Sequence, residues 1–444
     1  GLLAREAYDV SGDTTKFPVA KYGQAWTASK FYRDRSYFGG GADALSIQVG
    51  EYDPLIGESY SEIASRSRSQ HRSQGFGQLV RKGPFTASIY REASRVNSGP
   101  DRSMFDGIDT TFARLKPLVQ NQKDRDALDS LPAAIARVRA VCDLSAPQKM
   151  LGPLARLDSL AFVLSMATMS GSGREIDLDV DRTIRLLSSR ITRALTLATG
   201  AAVELTVPHD VVATGDLARV TWTVYDRGPA PIVVGGVNKA GQFSATHNVI
   251  APDSSLNRPE TLGSETVTQP WWLTRPRQGD LFGVPVSRIA EDQRVENGVQ
   301  LELTLDGVKP LSEFDYTGTP VQRIADPSRG EIDRPLAFAP LISVTLDQTV
   351  EYVPAGTRID RTIPVLLRSA SDTERMVQVS LALPRGLASD SASRHAVVPA
   401  YGARTVEFHV KGMLPAGETT LSATAELDGK RYTNGYIPLE YEHI

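Results

Sequence analysis

Apolar residues first recur at helical spacing, at Leu3, Ala7 and Val10, and Gly12-Asp13 supplies a stop. The spacing then changes to two: Leu45, Ile47 and Val49 alternate with Ser46 and Gln48 after a Gly39-Gly40-Gly41 turn, as in a half-buried strand. Ser59-Tyr60-Ser61-Glu62 has the form of a capping box, in which two side chains satisfy otherwise unpaired backbone N–H groups. It predicts a helix carrying Ile63, Ser67, Gln70, His71 and Gln74 along one stripe and ending at Gly75. Most of that stripe is polar, which is unusual for a helix that only packs.

From about Phe112 to Gly200 the period is helical throughout. Ile135, Val138 and Val141 form one stripe, Leu154, Leu157, Leu160 and Leu164 a second, and Ile184, Leu187 and Ile191 a third, with Gly200 as a C-cap. Pro132 and Pro153 fit first-turn positions, where a missing N–H does no harm. Beyond Gly200 period two takes over. Val220, Trp222 and Val224 alternate with polar residues, as do Val299, Leu301, Leu303 and Leu305. Ile342, Val344 and Leu346 repeat the theme, followed by Val377 to Leu383, Val406 to Val410, and Leu421 to Leu427. Asp428-Gly429 is a two-residue hairpin turn. Short strands at this spacing predict β-sandwich modules, with a join near Asp326-Pro327 and Arg334-Pro335.

Composition narrows the partners. The chain has 444 residues, 41% hydrophobic and 23% charged, with a net charge of -3. This lacks the basic footprint of a nucleic-acid binder and leaves small molecules, glycans or proteins. One cysteine, Cys142, excludes an internal disulfide and any Cys-based zinc cluster. No apolar run reaches membrane-spanning length; that from Leu160 to Met169 is interrupted by Ser165 and Thr168.

Gln70-His71-Arg72-Ser73-Gln74 is the densest cluster of donors and acceptors. Either His71 and Gln74 edge a pocket, or the helix is simply solvated. Asp177, Asp179 and Asp181 resemble the opening of a Ca²⁺ loop, but Arg182 stands where the loop needs glycine, and an acidic helix N-terminus explains them as well. His209-Asp210 reads as half a metal site or as loop chemistry, and His409 as solvent-facing. Trp271-Trp272 is a sugar-stacking platform or a core anchor. G-x-S-x-G, P-loop, post-strand G-x-G-x-x-G and H-E-x-x-H motifs are all absent from the sequence.

Several segments in order resemble the PIG-L/LmbE deacetylase family. They are Gly1-Leu2-Leu3-Ala4-Arg5-Glu6-Ala7-Tyr8, Phe17-Pro18, Trp26, Gly50-Glu51-Tyr52-Asp53-Pro54-Leu55-Ile56-Gly57-Glu58-Ser59-Tyr60, and Ser69-Gln70-His71-Arg72-Ser73-Gln74. Ser103 to Asp109, Pro270-Trp271-Trp272-Leu273, Ala325-Asp326-Pro327 and Gly435-Tyr436 resemble its large multidomain bacterial branch. The resemblance is most specific from Glu51 to Gln74. It implies a zinc-dependent amidohydrolase that removes N-acetyl groups from N-acetylglucosamine-type glycans, the zinc activating a water and polarising the amide. The family's His-Pro-Asp-Asp metal segment does not occur here; the resemblance places it upstream of residue 1. What carries over by position is His71 with Ser73 and Gln74, in a substrate-binding or positioning role, with no complete catalytic set and no metal ligand in this chain.

The expected architecture is therefore multidomain α+β. Residues 1–111 form the C-terminal part of a Rossmann-like PIG-L/LmbE domain, 112–200 a helical segment, and 201–335 and 336–444 two Ig-like β-sandwich modules. The expected function is that of a portion of a zinc-dependent N-deacetylase, this portion alone being inactive, with zinc bound in the full-length protein. A glycan or glycoconjugate is the expected substrate, no transmembrane segment is expected, homo-oligomerisation is left open, and the location is extracellular or periplasmic. The alternative is a non-catalytic glycan-binding or structural protein that keeps a remnant of the enzyme domain.

Overall fold

The computed structural model describes residues 2–23, 25–34, 44–74, 77, 79–169, 178–239, 241–283, 297–305, 313–348, 350–354 and 356–438. Gly39-Gly40-Gly41, Gly75, Asp177 and His443, together with the Trp271 side chain, lie outside the described residues. The chain divides into two compact units, one running to Pro117 and the other beginning at Leu118.

The first unit contains α1 (Leu2–Val10), α2 (Val19–Tyr22), β1 (Lys30–Asp34), β2 (Leu45–Gln48), β3 (Tyr52–Asp53), β4 (Glu58–Ser59), α3 (Tyr60–Ser69) and β5 (Thr86–Ser94). Its sheet has the order β1-β5-β2, and both pairings are antiparallel. The parallel pairing of a Rossmann-like sheet is thus not found among these elements. The long connection from β2 to β5, through the β3-β4 hairpin and α3, returns the strand beside β2 in the opposite direction. Gly50 is a glycine for lack of room: a β-carbon there would fall 2.2 Å from the Gly83 carbonyl, where the Val49 and Gly50 N–H groups donate to Phe85.

The second unit opens with α4 (Gln122–Ala140), α5 (Leu151–Met169) and α6 (Leu178–Thr199). Asn121 caps α4, its side chain accepting from the Asp124 N–H. Helix α4 therefore begins ten residues before Pro132, which lies inside it. The expected first-turn position fails because an Asn–Asp cap upstream sets the start, and the proline removes one helical hydrogen bond. The buried face of α4 is Leu128, Leu131 and Ala134, with Val141 exposed beyond the helix end. Gly200 closes α6 with φ 76°.

Strands follow, without further long helices among the described residues: β6 (Ala201–Thr206), β7 (Val211–Ala213), β8 (Leu217–Asp226), β9 (Ile232–Lys239), β10 (Gln242–Ile250), β11 (Ser254–Gly263), β12 (Val299–Leu305), β13 (Glu313–Gly318), β14 (Val321–Asp326) and β15 (Gly330–Pro335). They form one sheet of order β10-β9-β12-β13 and another of order β11-β8-β6-β14-β15. Val220, Trp222 and Val224 are buried on one sheet, and Val234, Leu301 and Leu303 on the other. Asp326-Pro327 turns the β14-β15 hairpin and so belongs inside this module.

The join falls after Arg334-Pro335, at β16 (Ala337–Ala339), which pairs in parallel with β7. Beyond it, β17 (Ile342–Leu346), β18 (Arg358–Ser369), β19 (Arg375–Ala382), β20 (Leu387–Ser389), β21 (Arg394–Val398), β22 (Ala403–Met413), β23 (Ser422–Leu427) and β24 (Lys430–Tyr432) make sheets of order β17-β18-β22-β20 and β21-β19-β23-β24. Val365, Leu367 and Phe408 of the first meet Val377, Val379 and Ala425 of the second in one apolar core. Asp428 and Gly429 turn the β23-β24 hairpin with φ 50° and 76°, as two-residue turns matched to strand twist require.

Candidate functional site

The capping box at the start of α3 forms in full. The Ser59 hydroxyl accepts from the Glu62 N–H at 3.4 Å, and Glu62 Oε2 accepts from the Ser59 N–H at 2.9 Å. Arg66 holds Glu58 on the same segment. The helix then stops earlier than its polar stripe suggests: Ser69 is its last residue and Gln70 its C-cap. His71 precedes a 3-10 turn spanning Arg72–Gln74. The expected single helical stripe therefore breaks at Gln70, because 65–74 is rich in Ser and Arg and offers little apolar surface to hold another turn. The Ser65 and Ser69 hydroxyls donate instead to carbonyls four residues back. His71, Ser73 and Gln74 are brought together on this turn. All three are exposed, and their side chains make no hydrogen bond or ion pair among the described residues.

The first unit also contains a buried charge cluster without a spacing signature. Asp101 and Lys30 are almost fully buried, with side chains 4% and 3% exposed. Asp101 Oδ1 accepts from Lys30 Nζ at 2.8 Å, from Asn97 Nδ2 at 2.8 Å and from Arg91 Nη1 at 2.9 Å, while Oδ2 accepts from the Tyr32 hydroxyl. Burial pushes this carboxyl up, but the Lys30, Tyr32 and Asn97 hydrogen bonds outweigh it and hold it well below the usual carboxylate range. Burial and the bond to Asp101 push the Tyr32 hydroxyl up. With both oxygens occupied, this carboxylate braces β1, β5 and the 95–101 loop.

In the second unit, the half-buried Asp158 of α5 and the more exposed Asp315 of β13 are carboxyls that no sequence motif marks. Burial and the nearby Asp315 push Asp158 up to about 6. Burial likewise raises Asp315, against a hydrogen bond from Gln300. A shift of this kind needs a helix laid on a sheet, which lies outside any local spacing.

The remaining candidates disperse. Asp179 and Asp181 stand in the first turn of α6, and Asp181 pairs with Arg185 at 2.8 Å, as an acidic helix start does. His209 stacks on Tyr401, with ring centroids 3.7 Å apart. His409 Nε2 lies 2.8 Å from Asp360 Oδ1 across the β18-β22 pair. His247 and His395 are exposed on separate strands. Trp272 is 42% exposed, so it is no core anchor; that place belongs to Trp222 at 1%. Cys142 is free and exposed. Among the described residues no three His, Cys, Asp or Glu side chains gather where they could hold a metal ion, so no zinc ligand is assigned to them. No helix among the described residues is long and apolar enough to cross a membrane.

No family model matches the chain, and no curated protein matches it. Among solved structures, red sea bream transglutaminase is 10% identical, with a TM-score of 0.22, over 59% of this chain and 35% of that one. Salmonella alpha-2-macroglobulin reacted with methylamine is 8% identical, with a TM-score of 0.19, over 53% of this chain and 16% of that one. The chain thus spans well under half the length of either, and likenesses this low carry no statement about chemistry.

Proposed function

We propose that residues 1–111 are part of a zinc-dependent N-deacetylase acting outside the cytoplasm on N-acetylglucosamine-type glycans, with its metal ligands supplied from outside this chain. The observation that carries the reading is the poverty of the core there. Up to residue 111 the one buried hydrophobic side chain among those described is Tyr8, while Leu2 is 91% exposed, Leu3 82%, Trp26 68% and Leu55 84%. Apolar surface left open on this scale calls for cover by further protein. Leu2, Leu3, Trp26 and Leu55 all belong to the segments that resemble the family.

Within this reading the His71 imidazole, Ser73 hydroxyl and Gln74 carboxamide contact sugar hydroxyls or the N-acetyl group from an exposed turn, without competing partners among the described residues. They orient substrate, and no step of hydrolysis is assigned to them. The test is zinc content and acetate release from an N-acetylglucosamine derivative, measured on the full gene product. About one zinc per chain is expected, with His71→Ala lowering kcat/KM about tenfold while zinc is retained. A full-length protein with neither zinc nor acetate release overturns the reading and leaves the non-catalytic alternative.

A further inference from the structure

We infer that the cleft where the two sandwich modules meet binds a single neutral sugar ring. The cleft is built wholly from the second unit and does not depend on the deacetylase reading. One wall is the segment after β6 and the start of β8; the other is the pair of turns carrying Asp372 and Tyr401. Its volume is about 240 Å³. That is below the roughly 300–1,000 Å³ of pockets for drug-sized ligands, which suits one ring better than a chain.

Three features set the ligand class. The floor is apolar, with Val207, Val212 and Ala218 all buried. The rim carries both signs: the Arg219 guanidinium donates in a fixed fork and the Asp372 carboxylate accepts. A rim bearing one charge of each sign rewards neither a free anion nor a free cation, whereas sugar hydroxyls can accept from one and donate to the other. The third feature is Tyr401, whose backbone has φ 48°, a left-handed conformation that a bulky residue rarely adopts. Its ring rests on His209 of the other wall and leaves part of its surface exposed to the cleft. Glycine would meet that backbone angle without strain, so the ring itself is the reason for a tyrosine there.

The walls are fixed to each other before any ligand arrives. The Ala213 N–H donates to the Ala370 carbonyl at 3.0 Å and the Thr214 N–H to Ala339 at 2.9 Å, while within the second wall the Tyr401 N–H donates to Ser371 at 2.9 Å and ties its two turns together. Ala213, Ala339 and Ala370 pack beneath as small side chains that let the modules approach closely. A preformed cleft of this kind loses little freedom on binding.

Saturation-transfer NMR on the full chain, with N-acetylglucosamine, glucuronate and glucosamine as probes, tests the inference. N-acetylglucosamine is expected to bind with a Kd of about 1–10 mM, at least about tenfold tighter than either charged sugar. Tyr401→Gly and Arg219→Gln are each expected to weaken it about tenfold, with melting temperature held within about 3 °C, while Trp272→Ala leaves binding unchanged. No transfer at about 20 mM sugar, stronger binding of a charged probe, or undiminished binding in Tyr401→Gly overturns the proposal. A large fall in melting temperature for Tyr401→Gly without sugar binding by the parent protein identifies the stack as a structural brace, which also overturns it.

Discussion

Between residues 2 and 111 the packing centres on Tyr8 and a buried charge cluster, whereas the C-terminal sandwich closes Val365, Leu367, Val377, Val379 and Phe408 between two four-stranded sheets. The two regions hold their shape by different means. In the sandwich, apolar area removed from water does the work, and every strand contributes to it. In the N-terminal unit, Asp101 draws Lys30, Tyr32, Arg91 and Asn97 together, while Leu2, Leu3 and Leu55 stay in solvent. A charge cluster of this kind fixes geometry well but adds little net stability, because desolvation of the ions offsets their attraction. The sandwich thus carries its own closed apolar core, while the N-terminal unit keeps apolar side chains in solvent around a polar centre.

Phe408→Ala is expected to cost about 4 kcal/mol in the unfolding of the second unit, by denaturant titration, because a fully buried ring leaves a cavity between closed sheets. Asp101→Asn is expected to cost about 3 kcal/mol in the first unit by leaving Lys30 buried without its counter-charge, read by hydrogen exchange of the β1 and β5 amides. Because the Asp101 carboxyl is held below its ordinary range, that stability is present at neutral pH and lost as the pH falls through the depressed value. An unchanged exchange rate in this variant would show that the cluster is not the brace.

Asp158 tests the opposite sign within the second unit. Its carboxyl is raised to about 6 by burial, so ionisation works against the fold: stability falls as the pH rises from about 4 to about 6 and stays reduced above. Asp158→Asn should therefore stabilise the protein on the order of 1–2 kcal/mol at pH 8, with no gain at pH 4, after allowance for partial exposure. Equal melting temperatures of the two proteins at pH 8 would refute it. Ser59→Ala should cost about 1 kcal/mol by removing the α3 cap. Leu55→Ala, at an 84% exposed side chain, should change stability by less than about 0.5 kcal/mol; a larger loss would mean that the exposed face is already covered in solution.

The features legible in the amino-acid sequence were those written within a few residues of chain. The Ser59–Glu62 capping box, the Gly200 helix end, the Asp428-Gly429 turn and the alternation through Val220, Trp222 and Val224 all stand where the spacing put them. Each depends on backbone geometry or on a period of two, which nearest neighbours set. Where a competing local signal existed, as at Asn121 upstream of Pro132 or at the serines ending α3, the spacing alone placed the element boundary wrongly. The His71, Ser73 and Gln74 cluster was legible as chemistry, but its seat on an exposed turn was not. Which distant groups meet or feel each other's charge was set by the fold: Lys30 pairs with Asp101, His209 stacks on Tyr401, and Asp315 raises Asp158. The reason is physical. A side chain's charge, burial and ligand potential depend on what the fold brings within a few ångströms of it, and chain spacing carries no measure of that distance.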